Sequence, residues 1–163
     1  MPEQSAHPRH VSYIDKSRNY YAAVGYDQPY LWATNDAAPF TPLDKPLSQS
    51  RIGIVTTSAP FGDDGGPILP KRSFAMPTSP APQAMFTDDL SWDHDATHTD
   101  DLGSYLPIVA LENAVSAGRI GSLSPRFYGL PTAYSQRKTL KDAERILNWC
   151  REDDVDAVML VPL

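Results

Sequence analysis

Between Asp93 and Asp101 the chain runs Asp-His-Asp-Ala-Thr-His-Thr-Asp-Asp, so two imidazoles and four carboxylates fall within nine residues. Imidazoles move protons near neutral pH, because their unperturbed pKa is about 6.5. Three uses are open to this segment. On a helix His94 and His98 would share a face and chelate a divalent cation, but no third ligand stands at a diagnostic spacing. As a plain solvated loop, it would use Asp100 or Asp101 to cap the helix that follows. Aimed into a cleft, His98 would donate a proton or anchor a substrate.

Other reactive types are scattered. Thr56, Thr57 and Ser58 put three hydroxyls in a row, suited to holding a ligand or to making an ordinary turn. Arg126, close to Ser122 and Ser124, has the fork that clamps a carboxylate, although pairing with a surface acid is the commoner fate of an arginine. Cys150, the single cysteine, lies in line with Leu140, Ala143 and Leu147, which predicts burial as a small hydrophobe rather than a nucleophile. Phe61 to Gly66 is glycine-rich but has no P-loop lysine, and its Asp63 and Asp64 would repel phosphate. No CxxC pair, GxSxG elbow or dinucleotide fingerprint is present, and no complete catalytic set is visible.

The elements that must carry these groups follow from periodicity and punctuation. Arg51 to Ser58 reads as a strand, with the hydroxyls at its carboxyl end. A proline- and glycine-rich stretch from Ala59 to Gln83 reads as a long loop of the lid or interface kind, and Ala84 to Trp92 as a weak strand. Tyr105 to Ala117 is a predicted helix, with Pro107 in its first turn and Gly118 as a left-handed stop. Ile120 to Phe127 is a short strand. Thr139 to Asp153 is a second helix, with Thr139 and Asp142 resembling a capping box and Leu140, Ala143, Leu147 and Cys150 as its apolar stripe. Val155 to Leu163 is apolar except at Asp156, as expected of a buried central strand of a parallel sheet.

Alternating strands and helices with short connections predict an α/β, three-layer domain with a short, mostly parallel sheet over residues 51–163. Residues 1–50 form an irregular N-terminal arm. There Tyr13, Ile14 and the segment Ser17 to Val24 form a short helix, capped by Asp15 or Ser17 and ended by Gly25, and Tyr26 to Leu47 is extended, its prolines and aromatics lying on the domain's own sheet or on a partner.

Composition narrows the field. Fourteen Lys and Arg against twenty Asp and Glu leave a net charge of −6 over 163 residues, which argues against nucleic acid as a partner. No basic-then-apolar leader and no membrane-length apolar run is present, and the lone cysteine suits a reducing cytoplasmic compartment. The sixteen prolines are about twice the usual share of roughly 5% and form no repeat.

Several segments together resemble the glycine/sarcosine/betaine reductase selenoprotein B and D-proline reductase family in its short form. They are Tyr20 to Tyr26, Pro39 to Leu43, Arg51 to Thr57, Thr97 to Asp101, Gly118 to Phe127, Tyr134 to Arg137 and Cys150 to Val158. The resemblance implies an oxidoreductase that uses a dithiol donor, protein or small thiol, to cleave a bond in a small amino acid or amine. It implies a selenocysteine (or Cys)-Pro-x-Cys pair after the strand matching Val155 to Leu163. Selenocysteine is encoded by UGA, so the expectation is that the chain stops at such a codon, is truncated at its C-terminus, lacks its nucleophile and is inactive as it stands. Within the chain no cofactor is expected. The expected site is His98 as acid or anchor, with Thr56, Thr57, Asp100 and Arg126 binding substrate. Two other readings stay open: a metal-binding module using His94 and His98, and a non-catalytic subunit that forms homo- or hetero-oligomers through residues 13–47.

Overall fold

The computed structural model describes residues 12–26, 28, 37, 41–68, 72–88, 95–132 and 135–163. The chain divides into two compact units, Met1–Thr41 and Pro42–Leu163. In the first, helix α1 spans Ser12–Ala23 and so takes in Tyr13, Ile14 and all of the expected segment but its last residue, Val24. It ends before Gly25, whose φ of 95° is open to glycine without strain.

The second unit is α/β and is built around β1, Arg51–Thr56. Ile52, Gly53, Ile54, Val55 and Thr56 are all buried, because β1 is paired on both sides and covered on both faces. Along one side it pairs in parallel with β5, Ala157–Val161, in register from Ile52 with Ala157 to Thr56 with Val161. Along the other side it pairs first with β3, Ser122–Leu123, and then with β4, Arg126–Gly129, again in parallel. The single strand expected over Ile120 to Phe127 is thus two strands, with the chain bulging at Ser124 and Pro125 between them. A further strand, β2 (Phe74–Pro77), lies inside the stretch expected to be loop and pairs antiparallel with β4. Phe86 makes an isolated bridge to Ala59, and no strand forms from Ala84 to Asp88. The rest of that expected strand, residues 89–92, lies outside the described residues.

Side-chain alternation sorts the core into two faces. Ile52 and Ile54 point towards α2, Ile108–Ser116, and pack with Phe127, Met85, Leu106, Ile108 and Ala114. Val55 points towards α3, Gln136–Glu152, with Tyr128, Ile146 and Cys150. Gly53 also faces α3, and a Cβ there would press on Tyr128 and Val155 at 3.3 and 3.2 Å. Three layers result, as expected.

Helix α2 begins three residues later than predicted. A 3₁₀ turn over Leu102–Ser104 precedes it, capped by the Asp101 side chain, and Pro107 stands at the N-cap. Gly118 stops the helix with φ of 68°. Helix α3 is rotated from its expected orientation. Asp142, Ile146 and Cys150 are buried while Leu140, Ala143 and Leu147 are exposed, so of the predicted stripe Cys150 alone faces inward. Asp142 makes no capping box. Its carboxylate accepts the Ser73 backbone N–H at 2.7 Å.

The expected buried central strand at 155–163 is also corrected. β5 has one neighbour among the described residues, β1, and Val158, Met159 and Leu160 are exposed. Its amino end is fastened by Asp156, whose carboxylate accepts the Arg51 N–H at 2.7 Å and pairs with Lys45 at 2.7 Å. Among the described residues no helix is long and apolar enough to cross a membrane.

Gly121 donates its N–H to the carbonyls of Leu47 and Ser50 as the chain enters β3. A Cβ there would lie 2.6 Å from the Gln49 carbonyl carbon and 2.8 Å from the Ser50 nitrogen, both backbone atoms. Gly121→Ala is therefore expected to destabilise the fold by roughly 1–3 kcal/mol. Urea denaturation checks this, and an unchanged midpoint would contradict the close approach.

Candidate functional site

The parallel strands β1 and β5 end together. Beyond them Thr57 holds the backbone of Leu163, its hydroxyl accepting the Leu163 N–H at 2.9 Å and lying 3.3 Å from the Leu163 carbonyl. Thr56 is fully buried. Its hydroxyl is 3.0 Å from that of Ser58 and accepts the Ser58 N–H at 3.3 Å. In open α/β sheets ligands gather at this end of the strands, but the Thr56 hydroxyl is sealed inside and serves the turn.

The loop that carries His98 is tied to this same end. Ala59, one residue past Ser58, exchanges two backbone hydrogen bonds with Phe86, at 2.8 and 2.7 Å. Next to Phe86, the Thr87 hydroxyl lies 2.7 Å from that of Thr99. His98 itself is exposed, with Nδ1 3.6 Å from a carboxylate oxygen of the still more exposed Asp100. Two of the expected residues, Thr56 and Thr57, are therefore adjacent at the strand ends, and His98 and Asp100 stand on a solvated loop joined to them by the Thr87–Thr99 bond. His94 lies outside the described residues.

Arg126 goes elsewhere. It opens β4, three residues before Gly129, the partner of Thr56, or about 10 Å towards the amino end at the usual rise of a strand. Its guanidinium forks onto Asp153, Nε donating at 2.8 Å and a terminal nitrogen at 2.9 Å, and reaches Glu152 at 2.9 Å. It does not line the crevice beside Thr57. What it joins is a polar cluster under α3 that the sequence did not announce. The Asp153 carboxylate also accepts the Tyr128 hydroxyl at 2.7 Å and the Ser124 hydroxyl at 3.4 Å. Tyr128 stacks on Trp149, with ring centroids 6.2 Å apart. Alternation along β4 was the available signal: Arg126 and Tyr128 share a face, and that face had to meet an acid.

Electrostatics define what this cluster does. Burial pushes the Asp153 carboxyl upward, but bonds from Arg126, Tyr128 and Ser124 outweigh it and hold the group below its ordinary value. Tyr128 is raised first by burial and further by its bond to Asp153. Burial likewise raises the Cys150 thiol, with the Asp153 charge adding to the effect. Cys150 therefore stays a protonated thiol at neutral pH, which removes it as a nucleophile. No buried side-chain polar atom of the cluster lacks a partner, and its chemistry is that of a structural clamp.

Among the described residues no group of three or more His, Cys, Asp or Glu side chains is placed to hold a metal ion.

Removing the clamp's carboxylate should leave Arg126 with Glu152 alone and Tyr128 with Ser124 alone. Asp153→Ala is expected to cost roughly 3 kcal/mol in urea denaturation. Because the folded pKa of Asp153 is depressed, its contribution is complete above the ordinary carboxylate pKa of about 4 and is lost as pH falls through the lowered value. The Tm gap between the parent chain and Asp153→Asn should accordingly narrow on acidification below about pH 4. A gap that widens there would contradict the assignment. No family model matches this chain, and no curated protein or solved structure does so.

Proposed function

We propose that this chain belongs to a reductase of the selenoprotein B type, which uses a dithiol donor to cleave a bond in a small amino acid or amine. The sequence resemblance suggests the chemistry, and one structural observation supports it: the bidirectional contact between Thr57 and the backbone of Leu163. A selenocysteine- or cysteine-Pro-x-Cys pair following β5, as in the family, would emerge beside Thr57 and near the loop of His98. A chalcogenolate there would attack the carbon of the substrate's C–N bond, forming a carbon–chalcogen bond as the amine leaves. The second thiolate would then attack the chalcogen, releasing the carbon, which takes up a proton, and leaving a selenide–sulfide or disulfide that the dithiol donor reduces. His98, exposed and beside Asp100, is the proton donor in this reading, and Thr57 the residue that orients the pair. Arg126 has no part in it, since its fork is engaged by Asp153 and Glu152. The strand that would present the pair has one neighbour among the described residues and is partly exposed, not buried as expected, so in this reading the pair would be approached from the side of β5 away from β1.

The codons after Leu163 test this directly. UGA or a cysteine codon, followed by Pro-x-Cys, is expected; any other sequence ends the proposal. The 163-residue chain assayed alone with glycine, sarcosine, betaine or D-proline should oxidise no dithiol, because its single thiol is buried and protonated. Substrate-dependent oxidation by that chain would refute the assignment.

A second reading has its own observation. Tyr20, Tyr21 and Tyr26 stack edge to face, with centroids 5.6 and 5.8 Å apart, and each is more than half exposed. Aromatic clusters of this kind favour protein interfaces, which fits an interaction subunit that associates through residues 13–47. Light scattering at micromolar concentration should then show an oligomer that Tyr20→Ser/Tyr21→Ser dissociates, and a monomer throughout would count against it.

A further inference from the structure

On the α2 side of the sheet, away from the strand ends considered above, lies an open groove of about 480 Å³ between α2, the segment after β2 and the β3–β4 bulge. That volume is within the range of small-molecule sites. Val115, Leu123 and Pro125 give it an apolar lining, and hydroxyls and one carboxylate add polar groups.

Thr78 points to a ligand. It is 6% exposed, and its backbone N–H is spent on the Pro125 carbonyl at 2.9 Å. Its hydroxyl has no partner among the described residues. No side-chain polar atom among those residues is both fully enclosed and unbonded, so this hydroxyl keeps some exposure, and Thr78 is one of the residues that line the groove. Glu112, Ser79 and Ser116 also line it, and they too have no hydrogen-bond or ion-pair partner among the described residues. A hydroxyl that no group of the chain engages keeps its donor and both lone pairs for a ligand.

The lining contains no lysine, arginine or histidine. An anion would meet Glu112 with nothing to offset it. A hard divalent cation needs several charged or carbonyl oxygens, and one carboxylate among hydroxyls is a poor set. An alkyl ammonium fits better. Its three N–H donors match the Glu112 carboxylate and the free hydroxyl oxygens of Thr78, Ser79 and Ser116, and its carbon chain can lie on the apolar lining.

We propose that this groove is a binding site for a small organic ammonium lacking a carboxylate, held by Glu112 and Thr78. The site is independent of the reductase reading, since it uses none of the residues at the carboxyl ends of β1 and β5.

The test is an amide-resolved NMR titration of the 163-residue chain with n-butylammonium, with n-butanol and butyrate as neutral and anionic probes. n-Butylammonium should shift the Ser116 and Leu123 amides saturably, with a Kd on the order of millimolar for so small a ligand. Glu112→Gln should weaken that binding about tenfold, as expected for loss of a charge-assisted bond. Thr78→Val should weaken it severalfold and Thr78→Ser should restore it, which separates a lost hydroxyl from a disturbed fold. Non-saturating shifts, equal binding of n-butanol, preferential binding of butyrate, or an unchanged Kd in Glu112→Gln would each overturn the proposal.

Discussion

The bond between Asp153 and Arg126 decides how the second unit is put together. A carboxylate at the C-terminal end of a helix opposes the helix dipole, and Asp153 is also largely withdrawn from water. It is tolerated there because a bidentate guanidinium, a tyrosine hydroxyl and a serine hydroxyl converge on it. In return, the end of α3 is fixed over β4. From that fixed end the chain needs only Asp154, at a left-handed φ of 51°, Val155 and Asp156 to turn into β5. The Arg51 guanidinium strengthens the corner by donating to the Asp153 carbonyl at 2.6 Å. The start of β1, the bulge between β3 and β4, and the entry to β5 therefore meet at one charged corner.

The same constraint accounts for the rotation of α3. Asp142 and Asp153 are three helical turns apart and so share a face. Each accepts a hydrogen bond from the sheet side, Asp142 from Ser73 and Asp153 from Arg126, Tyr128 and Ser124. Once both acids are turned inward, Ile146, Trp149 and Cys150 fill the space between them, and Leu140 and Leu147 must turn outward. A count of apolar residues favours the opposite orientation. The polar contacts prevail because a charge-assisted bond in a sheltered place outweighs the partial burial of one or two leucines.

The outward leucines and the open side of β5 have a common origin in this geometry. Arg145 leans towards Ser73 on the β2 side of the helix, so Ala143 and Leu147 occupy the opposite flank, towards β5. Val158 and Leu160 project on that same side of the sheet. An apolar margin thus runs beside the strand whose far end meets Thr57. At the carboxyl ends, by contrast, hydroxyls dominate, and they are largely engaged with one another or with backbone. The two ends of β1 differ in kind: one is locked by ion pairs, the other by neutral hydrogen bonds.

The layered α/β architecture was written in local patterns. β1 announced itself by β-branched residues, α2 by its spacing and by the glycine that must adopt positive φ, and α3 by its length. Those signals are local, and local sterics and propensity suffice to produce them. β2 stayed hidden because four residues among prolines become a strand only when β4 supplies a partner. Cys150 is buried as expected, but beside Ile146 and not with the stripe of Leu140, Ala143 and Leu147, and its thiol is raised by that burial and then by the Asp153 charge. Of the candidate site, the succession Thr56-Thr57-Ser58 at a strand end was legible, yet which hydroxyl faces inward was not. Which side of α3 is buried, where Arg126 finds its acid, and whether β5 is central or marginal are properties of residues distant in sequence. Only the folded chain brings them close enough for charge, hydrogen bonding and packing to choose.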